Sequence, residues 1–394
     1  MSQLSFENTE IAFKGKSNAQ LNRSYWLFKI IASPTMVAIG GKLTHLALTL
    51  RIPFGWIIKH NIFAQFCGGE NVEECKASSM ELAKYGIGTI LDYSIEGKTE
   101  ERDFDATAEE IIRTVHAAKG DKNIPFCVFK VTGIARFELL ERQNEVVLND
   151  KLSLSQKEQE EWDRVVRRVH NICKEAHIAQ QRIFIDAEDS WIQDAIDVLC
   201  HDMMMLFNHE SPIVYNTVQL YRHDRLAFLA HAQKWAKENG VYYGVKLVRG
   251  AYMEKERKRA QAMGYLDPIQ PNKEATDQDF NSGVQFCLDH LDHMALCCGS
   301  HNEESSMLLA QWMEERGIVK NDNRVAFAQL FGMSDHISYN LADAGYNVVK
   351  YLPYGPIKEV MPYLLRRAQE NTSVKGQTSR ELGLILKERK RRAG

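Results

Sequence analysis

The chain has 394 residues, 44% of them hydrophobic and 26% charged, with a formal net charge of −3. This is the composition of a globular protein, and it lacks the basic excess of a nucleic-acid binder, so no nucleic-acid partner is expected. Eight cysteines without a CxxC or a metal-ligand spacing point to buried thiols in a reducing compartment and to no metal.

The amino terminus, MSQLSFENTE, has neither the basic start and apolar run of a secretory signal nor the Arg-rich character of a transit peptide. A cytoplasmic location is expected. Residues 1–85 read as a helical extension. Its most apolar stretch, SPTMVAIGGKLTHLALTLRIPFGWIIKH, is interrupted by Lys42, His45, Arg51 and Pro53. No clean apolar run reaches the ~18 residues of a spanning helix. A buried helix is the first reading, and peripheral contact at the inner membrane face the second.

From residue 86 onward, short apolar runs alternate with helical periodicity. The runs are GIGTILDYS, IPFCVFKVT, RIFIDAED, PIVYNTVQL, VYYGVKLVRG, HMALCCGSH, VAFAQLFG and VVKYLPYG. Their continuous hydrophobicity suits strands covered on both faces, as in a parallel sheet. Between them, DATAEEIIRTVHAAKG predicts a helix from Asp105 or Thr107. HDRLAFLAHAQKWAKENG closes at Asn239–Gly240, and HNEESSMLLAQWMEERG opens with acids and ends at Arg316–Gly317. The fold class is α/β, a (βα)8 TIM-like barrel over residues 86–394 with the helical extension at 1–85. An open doubly wound sheet is the alternative, but no strand is followed by GxGxxG or GxxxxGK[ST].

In such a barrel the carboxyl ends of the strands carry the active site. Here they are polar: Lys130, Asp186 with Glu188, Gln219, Lys246 with Arg249 and Tyr252, Ser300-His301-Asn302, and Lys350-Tyr351. Alternation puts Asp186 and Glu188 on one side. Buried charges need partners or a ligand, so their gathering at one rim points to a site. After the eighth run, Tyr351 is read as the strand end, Pro353, Gly355 and Pro356 as the turn, and Pro362 as an early helix position. Arg366 and Arg367 then form either an anion clamp near a helix start or surface pairs with Glu359 and Glu370.

These same segments resemble the proline dehydrogenase family. YLPYGPIKEVMPYLLRRAQEN is similar to its YxPxG…YLxRRxxEN signature, VKLVRGAYMEKER to its [KR]LV[KR]GAY segment and FIDAED to its DAE strand. VFKVT, TVQLY, GSHN and QLFGM follow in the expected order, so the resemblance spans roughly residues 85–371. It implies a monofunctional enzyme on a distorted barrel, near the mitochondrial-type branch. That enzyme would oxidise L-proline to Δ1-pyrroline-5-carboxylate by hydride transfer to N5 of FAD, with quinone as the acceptor. It would catalyse the first step of proline catabolism.

The resemblance implies that Arg366 and Arg367 grip the proline carboxylate, with Lys130 as a third cation and Asp186 as its partner. Tyr351, Tyr363 and Leu330 would wall the ring, and Tyr252 would seal it. Lys246 stands where many bacterial members have Arg near the flavin. Gln219, Arg249, Gly250, Ala251, Ser300, His301 and Asn302 would contact FAD, as would Thr276 on the adenosine side. The alternatives are hydroxyproline oxidation, a Schiff-base lyase using Lys130 or Lys246, and a non-catalytic scaffold barrel.

Overall fold

A computed structural model describes residues 4–31, 62–93, 99–373 and 377–394. The apolar stretch read as a buried or membrane-contacting helix lies outside them. Among the described residues no helix is long and apolar enough to cross a membrane.

All eight apolar runs are strands: β1 (Ile87–Tyr93), β2 (Phe126–Phe129), β3 (Arg182–Ile185), β4 (Val214–Gln219), β5 (Tyr243–Val248), β6 (Met294–Gly299), β7 (Val325–Leu330) and β8 (Val348–Tyr354). They close into a parallel barrel in the order β1 to β8, which removes the open-sheet alternative. The chain falls into two compact units, residues 97–328 and residues 1–96 with 329–394.

In the unit of residues 97–328, the helices are α4 (Glu101–Ala118), α5 (Phe137–Leu148), α6 (Gln156–Ala179), α7 (Ser190–Phe207), α8 (Arg225–Glu238), α9 (Met253–Met263), α10 (Lys273–Asp289) and α11 (Glu303–Glu315). Helix α4 begins at Glu101, earlier than the expected Asp105 or Thr107. Glu101 and Asp103 supply first-turn acids, which suit the positive end of a helix. Buried Arg168 of α6 anchors this turn through Glu101 and Asp105. At the amino end of the barrel, the Phe126 ring stacks on Phe184 at 4.6 Å, and Tyr215 meets both edge-on. Arg182 covers Phe126 and donates to the Asn323 carbonyl at 2.8 Å.

In the other unit lie α1 (Thr9–Ala12), α2 (Asn18–Ile31), α3 (Val72–Ala83), α12 (Asp335–Asp343), α13 (Ile357–Ser373) and α14 (Gln377–Ala393). Strand β8 runs to Tyr354, so Tyr351 is inside it, and Pro353 lies opposite Asp92 of β1. Proline brings no N–H to the ladder there, but its carbonyl accepts from Gly68 N, and the ladder resumes at Gly355 N to Gly69 O. Pro362 sits inside α13 rather than at its start; Pro356, directly before Ile357, is the proline at the helix entrance. An apolar cluster that includes Phe28, Phe66, Met333, Tyr363, Leu364 and Ile385 forms this unit's core.

Candidate active site

In the unit of residues 97–328, polar groups lie within or just beyond four consecutive strands. Lys130 directly follows β2 and opens a single 3-10 turn, Val131–Gly133. Asp186 directly follows β3, and its N–H donates to the Phe129 carbonyl at 3.0 Å. Gln219 ends β4 and is buried. Lys246 lies within β5, 4% exposed, with its ammonium 5.2 Å from the centre of the Phe184 ring. Its side chain therefore points into the barrel, where it donates to the Asp186 carboxylate. Burying either charge alone costs several kcal/mol, and the pair offsets part of that cost.

Glu188 has a different task from Asp186. Both lie beyond the last strand residue, so strand alternation does not govern them. The Glu188 carboxylate accepts from the Thr132 N–H and hydroxyl, and its carbonyl accepts from Gln219 Nε2 at 2.6 Å. That bond fixes the orientation of the Gln219 amide.

Arg249 follows β5. Its guanidinium is held at 2.6 Å by Asp277, at 2.9 Å by the Ser300 hydroxyl and at 2.9 Å by the Ser305 hydroxyl. It also lies 4.3 Å from the Phe280 ring centre. Burial raises the Asp277 carboxyl pKa, but hydrogen bonds from Lys273 and Arg249 outweigh this and hold it below the usual range. Next, Gly250 has φ +136°, and an added Cβ would lie 2.5 Å from the Tyr221 ring. Only glycine fits both conditions. Ala251 is exposed, and half-buried Tyr252 precedes α9 rather than continuing β5.

After β6, the Ser300 hydroxyl also accepts from Asn302 N at 3.1 Å. Asn302 caps α11, accepting from Ser305 N at 2.9 Å, and His301 between them is half-buried. Thr276 lies in the first turn of α10, with its hydroxyl donating to the Asn272 carbonyl at 3.3 Å. Lys246, Cys297 and Ala326 are in register on β5, β6 and β7, as are Gly299 and Ala328. This wall of the interior is built of small residues, and a Cβ on Gly299 would lie 2.9 Å from Val248.

In the other unit, Tyr351 is buried in β8, with its carbonyl accepting from Phe331 N at 2.8 Å. Tyr363 on α13 is buried in the apolar cluster, and Leu330, at the end of β7, packs against it. Arg366 and Arg367 are half-buried on α13, and Arg367 lies 5.2 Å from the Tyr363 ring centre. Lys350 departs from expectation. It is fully buried, and its ammonium bonds to Met333 O and Asp335 at 2.6 Å each. It lies on the opposite strand face from Tyr351 and is no rim cation.

Sequence reasoning missed the side chains that hold others in place. Asp277 lies one residue after Thr276, four after Lys273, at helical ion-pair spacing. Ser305 lies three after Asn302, at capping distance. Both spacings were visible, but neither names Arg249 as the shared partner.

A closed parallel barrel with buried, partnered charges beyond its strand ends defines an α/β-barrel enzyme. The proline dehydrogenase family profile matches residues 75–380. A carbapenem antibiotics biosynthesis protein, CarD, of Pectobacterium carotovorum subsp. carotovorum is 35% identical over 327 residues, covering 83% of each chain. The hydroxyproline dehydrogenase of Xenopus laevis is 34% identical, covering 99% of this chain and 90% of its own. The mitochondrial proline dehydrogenase 1 of Homo sapiens is 41% identical over 241 residues, covering 60% of this chain and 40% of its own. Among solved structures, proline utilization A (PutA) of Bdellovibrio bacteriovorus superposes with a TM-score of 0.72 at 17% identity. The match covers 95% of this chain and 40% of that one, and it speaks for the fold alone. The chain belongs to the proline dehydrogenase family of FAD-dependent oxidoreductases.

The residues present suit that cofactor. Arg249 and the capped amino end of α11 offer a cation and a helix terminus for phosphate oxygens. Bare backbone at Gly250 and the small-residue wall leave room for a flat ring system. Lys246 is a buried cation of the kind that would suit the negative charge of a reduced ring.

Proposed function

We propose that this chain oxidises L-proline to Δ1-pyrroline-5-carboxylate and passes the electrons to a quinone. The observation that carries this reading is the order of the polar side chains in one unit. Lys130, Asp186, Gln219 and Lys246 come from β2, β3, β4 and β5 or just beyond them, in the sequence of the family's motifs. When bound, FAD supplies the hydride acceptor, and the protein's part is to bind and orient.

Arg366 and Arg367 take the substrate carboxylate through charge-assisted bonds; the role of Lys130, in the unit of residues 97–328, rests on the family resemblance alone. Tyr351, Tyr363 and Leu330 wall the ring; the role of Tyr252, in the unit of residues 97–328, rests likewise on the resemblance. Fixing the ring this way presents its C5–H bond for oxidation and supplies several kcal/mol of the barrier. C5 gives up hydride and the amine gives up a proton, so the amine must react in its neutral form.

On the cofactor side, Gln219 would accept from a ring N–H, and Lys246, oriented by Asp186, would supply a positive charge to the ring. Arg249, Ser300, His301 and Asn302 would hold the phosphate region, Gly250 and Ala251 would leave it room, and Thr276 would serve the adenosine end. We assign catalysis to a domain of residues 86–394, preceded by residues 1–85 as a separate region. The enzyme works in the cytoplasm, meeting its quinone by peripheral contact with the membrane.

Steady-state turnover with a soluble quinone and product identification by mass spectrometry test the reading. It expects L-proline to be used well and 4-hydroxyproline poorly, because Tyr351 fills the space a 4-hydroxyl needs. Preferential turnover of hydroxyproline contradicts it.

A further inference from the structure

The segment from Leu330 to Asp335 is held in a conformation it would not adopt unaided. Gly332 has φ +77° and Ser334 has φ +50°, and a left-handed serine costs of order 1 kcal/mol or more. Three tethers hold it. Gln65 Nε2 donates to Gly332 O at 2.7 Å, and the Gln65 main-chain carbonyl leaves no room for a side chain at position 332. The Ser334 N–H donates to the buried Glu381 carboxylate of α14. Lys350 bonds to the segment at three points: Met333 O at 2.6 Å, Asp335 Oδ1 at 2.6 Å and Leu330 O at 3.4 Å.

A lysine has three N–H donors, and here each has an acceptor in the one segment. Burying an ammonium is expensive, and an apolar residue would fill the same space more cheaply. What an apolar residue cannot do is fix two carbonyls and a carboxylate in one arrangement. The segment held this way begins at Leu330, and the residue after Lys350 is Tyr351. The Phe331 N–H to Tyr351 carbonyl bond, at 2.8 Å, closes the loop between them.

We propose that Lys350 is a positioning residue, setting the fit of the substrate pocket by stapling β8 to the turn after β7; this rests on the reading of Leu330 and Tyr351 as pocket walls. Lys350 touches no substrate. It fixes the distance between two side chains that do, and small misplacements of oriented groups carry large rate penalties.

The test compares three full-length variants. Lys350→Met removes the staple, and Asp335→Asn weakens it and serves where Lys350→Met does not fold. Lys16→Met is the control, because Lys16 reaches Asp335 only from the far side, at 2.9 Å on Oδ2. Melting temperature, KM and kcat for L-proline, and the ratio of kcat/KM between L-proline and 4-hydroxyproline are measured on the folded fraction. Lys350→Met is expected to raise KM about tenfold or more, with a smaller change in kcat and a lower proline preference. Asp335→Asn should move in the same direction by less. Lys16→Met should lower the melting temperature and leave KM and the preference unchanged. Unchanged KM and preference in both Lys350→Met and Asp335→Asn overturn the proposal, as does a Lys16→Met shift as large as that of Lys350→Met. Wild-type protein that fails to turn over L-proline overturns the substrate reading instead.

Discussion

The Lys246 ammonium donates to the Asp186 carboxylate inside the barrel, joining β5 to the residue that follows β3. Both side chains are largely shielded, at 5% and 15% exposure. Breaking such a pair leaves one buried charge uncompensated, typically at about 3–5 kcal/mol. Lys246→Met should therefore lower the melting temperature clearly and slow substrate oxidation. The double variant Lys246→Met/Asp186→Asn should regain much of the stability but none of the rate. Thermal melts and single-turnover kinetics on both variants check this.

The arginines of α13 are assigned to binding rather than chemistry. Arg366→Ala or Arg367→Ala should each raise KM for L-proline by about tenfold to a hundredfold, since a hydrogen bond to a charged group contributes about 1.5–3 kcal/mol. Bound flavin per mole of protein should stay at the wild-type level. Unchanged saturation by proline in both variants removes the carboxylate clamp.

Gly250 joins a left-handed φ to close contact with the Tyr221 ring. Gly250→Ala is therefore strained in its backbone and blocked in its side chain, at a cost of order 1–3 kcal/mol for the backbone alone. Reduced flavin retention after gel filtration is the expected result. Gly264→Ala is the control, with φ +73° but no atom within 4 Å of the added Cβ. It should cost stability without loss of flavin.

Asp335 sits between Lys350 and Lys16. Burial raises its carboxyl pKa, but the two ammonium groups outweigh burial and hold it well below the ordinary aspartate range. A carboxyl depressed in the folded state contributes stability that is fully present above its unfolded pKa of about 3.9. That contribution is lost as pH falls through the folded value. The stability difference between wild type and Asp335→Asn should therefore be largest at neutral pH and shrink below about pH 4. A difference that stays constant down to pH 3 contradicts the assignment.

The strands were legible because both faces of each are covered, which leaves continuous apolar runs such as IPFCVF and VAFAQL. Their number and the helices between them pointed to a barrel, but pattern alone does not show closure, which the pairing of β1 with β8 supplies. The charged residues were legible as a set but not one by one. Lys246 and Lys350 look alike in sequence, each inside an apolar strand, yet one points into the barrel and the other to Asp335 of α12. Strand period fixes only relative facing, and the partner that decides the face lies far away in sequence. Pro362 misled for a local reason: proline marks helix starts on average, but here Pro356 stands at the entrance and Pro362 falls inside α13. The supports of Arg249 were hidden because Asp277 and Ser305 act through a third residue. Local spacing explains each of them as a helix feature.

The most direct test of the central claim is the visible absorbance spectrum of the purified protein before and after anaerobic addition of L-proline. The account predicts flavin bands that bleach with L-proline and persist with 4-hydroxyproline. Flavin bands that L-proline leaves unchanged, or a colourless protein that takes up no added FAD, contradict it.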